Sequence, residues 1–215
     1  LKANYVDGVF HTHVSLIQPK GKFTFNRSAL EEFWQVYCDA VSKGDNTLGV
    51  AEKPQNYLPV LGDIDIKIRD TGGDYGERLY SEEQLKTVVE VYQSVLRKIV
   101  EDCSQEDLIC VVLEKNMYIQ KVNDVTYFKH GFHLHFPYCF LSKVDQEIHL
   151  IPRVKQYLTD LKVFQHLGVE NSGDLVDKAS CSVPWLLYGS KKSLESQPYK
   201  VSTIYDSELN KLSLE

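Results

Sequence analysis

The run "YLPVLGDIDIKIRD", residues 57–70, alternates by twos. Val60, Gly62, Ile64, Ile66 and Ile68 fall on one side, and Leu61, Asp63, Asp65, Lys67 and Arg69 on the other. Period-two alternation predicts a strand whose isoleucines are buried and whose two aspartates leave the opposite face together. "YFKHGFHLHFPYCF" alternates likewise, with Phe132, Leu134 and Phe136 pointing one way and Gly131, His133 and His135 the other. Shorter strand-like runs lie at 108–114 and 183–189.

Helical spacing marks three other stretches. In "RSALEEFWQVYCDAVSKG", Ser28 and Glu31 form a capping-box pattern, with Leu30, Phe33, Tyr37 and Val41 behind it and Gly44 at the end. Ser81 and Gln84 repeat the device before Leu85, Val88, Val89, Tyr92, Val95 and Ile99. A third helix is expected over much of 145–167, with Pro152 near its start and Gly168 closing it. Strands and helices interleave, which predicts an α/β (α+β) class with helices packed on a mainly antiparallel sheet.

At 215 residues, without internal repeats or low-complexity linkers, the chain is expected to form a single domain. It opens at Leu1 instead of Met, which suggests a piece of a longer protein. Five scattered cysteines with no CxxC pair predict neither a disulfide framework nor a structural zinc site, and point to a reducing, intracellular setting. No apolar run approaches the roughly 18–20 residues of a membrane span. A net charge of −6 argues against a surface coated in phosphate-binding lysines, so a nucleic-acid partner would need a local basic groove.

Three segments carry candidate chemistry. Carboxylates at Asp63 and Asp65 repel each other unless a cation sits between them, and hard divalent ions favour such oxygen donors. An exposed strand face balanced by Lys67 and Arg69 would show the same pattern. His133 and His135 suit metal ligation, phosphate contact or plain solvation, and Gly131 leaves room beside His133 for a ligand. In "GDLVDKASCSVPWLLYGSKK", Asp177 is either a further acid or a helix cap, and Asp174 lies three residues upstream. Gly189-Ser190-Lys191-Lys192 offers backbone N–H groups, a hydroxyl and two ammonium groups for a phosphate.

In this order, an h-D-x-D strand, a small-x-His strand and an h-h-Asp segment leading to Tyr188-Gly189-Ser190-Lys191-Lys192 resemble the archaeo-eukaryotic primase superfamily. "SVPWLLYGSKK", the following "QPYKV" and the run-in "AEKPQNYLPVLGDID" are most similar to the primase domains of primase–helicases from nucleocytoplasmic large DNA viruses. The resemblance covers residues 48–205; residues 1–47 add only a lead-in. It implies a primase core with an RRM-like sheet, and synthesis of primers on a single-stranded DNA template from nucleoside triphosphates. It implies catalytic acids Asp63, Asp65 and Asp177 holding two Mg2+ or Mn2+ ions, with His133 at a phosphate oxygen. Nucleotide-binding residues would be Lys129, His133, Ser190, Lys191 and Lys192, template contacts Lys67 and Arg69, and a helicase would follow in the full-length protein.

Three other readings use the same residues differently. His133-Leu134-His135 also fits a rolling-circle initiator nuclease, with Tyr157 as nucleophile, although Asp160 stands where a lysine is expected. A D-x-D pair also serves glycosyltransferases, and a non-catalytic nucleic-acid-binding module would need none of the acids.

Overall fold

A computed structural model describes residues 1–73 and 75–213. In chain order the strands and helices are β1 (Tyr5–Val6), β2 (His13–Ser15), β3 (Gly21–Phe23), α1 (Arg27–Ser42), β4 (Val50–Glu52), β5 (Tyr57–Arg69) and α2 (Glu82–Ile99). They continue with β6 (Cys110–Glu114), β7 (Tyr118–Val122), β8 (Val125–Ser142), α3 (Lys143–Asp145), α4 (Ile151–Asp160), β9 (Trp185–Leu186), β10 (Lys200–Tyr205) and β11 (Lys211–Leu212). The chain divides into two compact units, Leu1–Gln55 with Ser182–Lys200, and Asn56–Cys181 with Val201–Glu215. Composition gives no sign of that seam, because no linker marks it.

The first unit is an antiparallel sheet in the order β1-β3-β2-β4-β9, accompanied by α1. Helix α1 begins one residue before Ser28, and its cap is Asn26, whose side chain accepts from the Ala29 N–H. Phe25, just ahead of that cap, stacks on Phe33 at 4.7 Å and fixes the entry angle of the chain. His13 lies buried against Phe25 and Phe33, and burial lowers its pKa to about 4, so the imidazole is neutral near pH 7. The expected strand at 183–189 shrinks to Trp185–Leu186, since Gly189 turns the chain at φ +82°.

The second unit holds the longer sheet, ordered β11-β10-β6-β8-β5, with β7 paired to β8. Strand β5 behaves as its alternation predicts. Val60, Ile64 and Ile66 are fully buried, as are Phe132, Leu134 and Phe136 on β8, while Asp65, Lys67 and Arg69 are exposed. Helix α2 covers the buried face: Tyr92 lies parallel to Phe136 at 6.0 Å and fills the space that Gly62 leaves open. Its capping box is formed as expected, Ser81 accepting from the Gln84 N–H and Gln84 accepting from the Ser81 N–H. Beside α2, the third helix runs unbroken from α3 through a π-helical turn, Gln146–Leu150, into α4, with Pro152 just after that turn.

Periodicity misses β7, as it does the short strands β1–β4 and the pair β10 and β11. The β7 run "YIQKV" is exposed on both sides, so no alternation marks it. It folds back on β8 through Asn123-Asp124, both at positive φ, which is the twist a two-residue hairpin loop needs.

Candidate active site

The candidate acids are placed by backbone register. Strands β5 and β8 pair antiparallel so that Asp63 faces His133 and Asp65 faces Gly131. On the other edge of β5, Val176 bridges Ile64 and the Asp177 N–H donates to the Asp63 carbonyl at 2.9 Å. In an antiparallel bridge, a residue one step on opposes the residue one step back. Asp177 therefore lies opposite Asp63, on the face away from the buried Ile64 and Val176. Leu113 of β6 faces His133 from the far side. The result is a row across the sheet, Leu113–His133–Asp63–Asp177, with Asp65 two residues further along β5.

Asp177 thus stands across the sheet beside Asp63, whereas Asp174 lies in the 3-10 turn Ser172–Leu175. The Asp177 carboxylate accepts from the Ala179 N–H, which orients it at the start of the following turn. His133 Nε2 is 3.6 Å from Asp63 Oδ1, both largely shielded from solvent. Lys129 donates to Asp65 at 3.0 Å. Burial works against the Lys129 charge, but the hydrogen bond and the nearby carboxylates of Asp65 and Asp63 outweigh it and raise its pKa. Lys129, expected on a nucleotide, is therefore a partner of Asp65. His135 occupies the same face beside Leu61, and burial lowers its pKa, so it is a neutral neighbour of the row.

Among the described residues, no three His, Cys, Asp or Glu side chains already close on one point. The donors are nonetheless of the right kind for a hard cation: carboxylates on one face, held by strand backbone, with coordination left open for phosphate oxygens.

Two further residues stand in packed surroundings, one in each unit. Gly131 does not open a path for a ligand; a Cβ there would lie 2.0 Å from the Ile64 carbonyl oxygen, so the glycine lets β5 and β8 approach. Ser190 is buried, its hydroxyl accepting from the Val50 N–H and bonded to the Tyr37 hydroxyl, both at 2.8 Å. That hydroxyl, expected from sequence on a phosphate, ties the turn to the first unit's own core. Lys191 is also buried and donates to the Leu194 carbonyl. Lys192 is the exposed member of the pair. Lys67 and Arg69 are exposed on the face that carries Asp63 and Asp65.

Tyr157 does not join the histidines. It lies on α4, its hydroxyl accepting from Lys98 of α2 at 2.8 Å, within the helical layer. Among the described residues no helix is long and apolar enough to cross a membrane.

A family model described as the C962R protein N-terminal AEP domain matches residues 12–205. The chain is 36% identical to "Putative helicase 184R" of Invertebrate iridescent virus 6, over 95% of its own length and 22% of the relative's. It is 34% identical to "Putative helicase 121R" of Invertebrate iridescent virus 3, again over 95% of itself and 22% of the relative. With "Putative helicase L207/L206" of Acanthamoeba polyphaga mimivirus the identity is 26%, over 94% of the chain and 20% of the relative. The chain thus spans about a fifth of the length of these relatives. With a family model running through nearly all of the sequence and two relatives above 30% identity along it, the chain belongs to the C962R-type N-terminal archaeo-eukaryotic primase (AEP) domain family of large DNA viruses.

Proposed function

We propose that this domain catalyses template-directed nucleotidyl transfer, making primers on single-stranded DNA. The observation that carries the reading is the row Asp177–Asp63–His133 with Asp65 beside it, set by backbone pairing in a primase-type domain. Two Mg2+ or Mn2+ ions held by Asp63, Asp65 and Asp177 would supply charge neutralisation at the phosphates and a lowered pKa for the attacking 3′-hydroxyl.

The chain's own side chains account for the rest. His133, next to Asp63, donates to a phosphate oxygen of the incoming nucleotide; its strand mount fixes that donor before substrate arrives. Lys129 orients the Asp65 carboxylate and supplies positive charge near the triphosphate. Lys67 and Arg69, next on the same face, contact the template backbone. In the whole protein a helicase segment uses the same DNA, as the names of the relatives suggest.

The test is synthesis without a primer: labelled nucleotides, single-stranded DNA, and Mg2+ or Mn2+. Template-dependent oligomers are expected; a complete lack of products with either ion, under conditions where the protein is folded, overturns the reading. Kinetics should also separate the two ends of the Gly-Ser-Lys-Lys turn. Lys192→Ala is expected to raise the nucleotide KM with little change in kcat. Ser190→Ala is expected to lower stability by about 1–3 kcal/mol, because it leaves the Val50 N–H and Tyr37 hydroxyl short of a partner. A KM effect from Ser190→Ala with unchanged urea unfolding would restore the phosphate role.

A further inference from the structure

The same sheet face continues past Asp65 in two more rows. The first is Lys67–Lys129–Tyr118 across β5, β8 and β7, and the second is Arg69–Tyr127–Gln120. Residues two apart along a strand are about 7 Å apart, so the second row lies roughly 20 Å from Asp63. Each tyrosine carries an ammonium group. Lys67 Nζ is 4.2 Å from the Tyr127 ring centroid, and Lys115 Nζ is 5.3 Å from that of Tyr118. Tyr118 is 42% exposed, and Lys67 and Arg69 are exposed as well. Among the described residues no carboxylate pairs with Lys67 or Arg69.

In a chain of net charge −6, this concentration of cations beside one exposed ring, Tyr118, and one half-buried ring, Tyr127, is local. A tyrosine with an ammonium group resting on it offers two things at once: an aromatic face and a positive charge a few ångströms away. Single-stranded nucleic acid presents the complementary pair, a flat base and a phosphate, at every nucleotide. On contact the ammonium groups exchange the rings for phosphates, and bases take the vacated faces. Double-stranded DNA has no free base faces to offer. The rows start at the acids and run away from them along β7 and β8, as a strand entering the site would.

We propose that Tyr127 and Tyr118 form a base-stacking shelf for single-stranded DNA, with Lys67, Arg69 and Lys115 holding its phosphates, in a sequence-tolerant manner. The proposal rests on the template-directed reading given above and adds the path of the template. It extends the expected template contacts beyond Lys67 and Arg69 to two aromatic residues on strands β7 and β8.

The test uses the full 215-residue chain and a fluorescein-labelled oligodeoxythymidylate in an anisotropy titration at fixed salt. The double variant Tyr118→Leu/Tyr127→Leu is expected to raise Kd about 30-fold or more, on the scale of base–aromatic stacking at two positions. Tyr118→Phe/Tyr127→Phe is expected to bind like the wild type, because stacking needs the ring and not the hydroxyl. Manganese-dependent nucleotide binding by calorimetry should be the same in all three proteins. Equal affinity of the Leu variant and the wild type overturns the shelf and leaves the primase reading standing. Weak binding by the Phe variant also overturns it, since the ring alone would then not be the contact. A wild type that binds no single-stranded DNA overturns both.

Discussion

Asp63→Asn is expected to reduce primer synthesis by roughly 100- to 1,000-fold while leaving the fold in place. The substitution preserves shape and removes one negative charge at the centre of the row. It does not touch the backbone carbonyl that accepts from the Asp177 N–H, so Asp177 stays where it is. It does remove the carboxylate beside His133, whose Nε2 is 3.6 Å away. Asp65→Asn should lose activity on the same scale, with a different side effect: Lys129 loses its ionic partner and swings free. A half-exposed ion pair such as Lys129–Asp65 contributes little to stability, so Asp65→Asn should unfold within about 1 kcal/mol of the wild type. Asp63→Asn, which loses a carboxylate shielded beside His133, should cost somewhat more while still folding. The measurement is primer synthesis on single-stranded DNA beside a urea melt. Either variant synthesising at near wild-type rate would remove the carboxylates from the mechanism.

The faces of β5 and β8 were legible because a half-buried strand must alternate. "GDIDIKI" and "HGFHLHF" leave no other arrangement of apolar and polar positions. Even so, alternation could place Asp63 and Asp65 on one side without saying what stood opposite them. The facing of Asp63 and His133 depends on register, and the register shift at Pro59/Val60 shows that counting alone would not give it. Asp177 was harder still. Its position rests on a single bridge between Ile64 and Val176, a contact over more than a hundred residues of chain that no local pattern announces. Only the order of motifs suggested it.

Residue type does not tell which way a group faces, and Ser190 and Gly131 both illustrate it. A Gly-Ser-Lys-Lys turn has the same letters whether its hydroxyl meets solvent or a buried tyrosine; here it meets Tyr37. Ser28 was passed over for Asn26 because both are good caps and the chain used the one that lets Phe25 stack on Phe33. Strand β7 was missed because a ribbon exposed on both sides has no buried face to reveal it. That exposure is also what leaves Tyr118 available to a ligand.

Gly131→Ala is expected to have the largest effect on stability, about 3 kcal/mol or more. The added methyl group would lie 2.0 Å from the Ile64 carbonyl oxygen and 3.1 Å from its carbon, and a backbone cannot turn aside as a side chain can. One strand must move. Gly131 faces Asp65 and is two residues from His133, so the movement falls on the pairing that sets the row. Gly62→Ala makes a useful comparison. Its methyl group would meet the Tyr92 ring at 2.9 Å and the Leu134 side chain at 3.2 Å, groups on the opposite, buried face. It should destabilise without bringing β5 and β8 apart at the acids. Urea unfolding gives the stability of each variant, and exchange at the amides of Ile64 and Ile66, whose backbone groups face β8, reports the strand pairing. In Gly131→Ala, measured where the protein is still folded, exchange at these amides should be faster and synthesis lower than the folded fraction explains. In Gly62→Ala, activity should follow the folded fraction. Gly131→Ala with wild-type stability and wild-type exchange would mean that β5 and β8 do not approach this closely, and that the row Asp177–Asp63–His133 is not held by the strand pairing from which it was built.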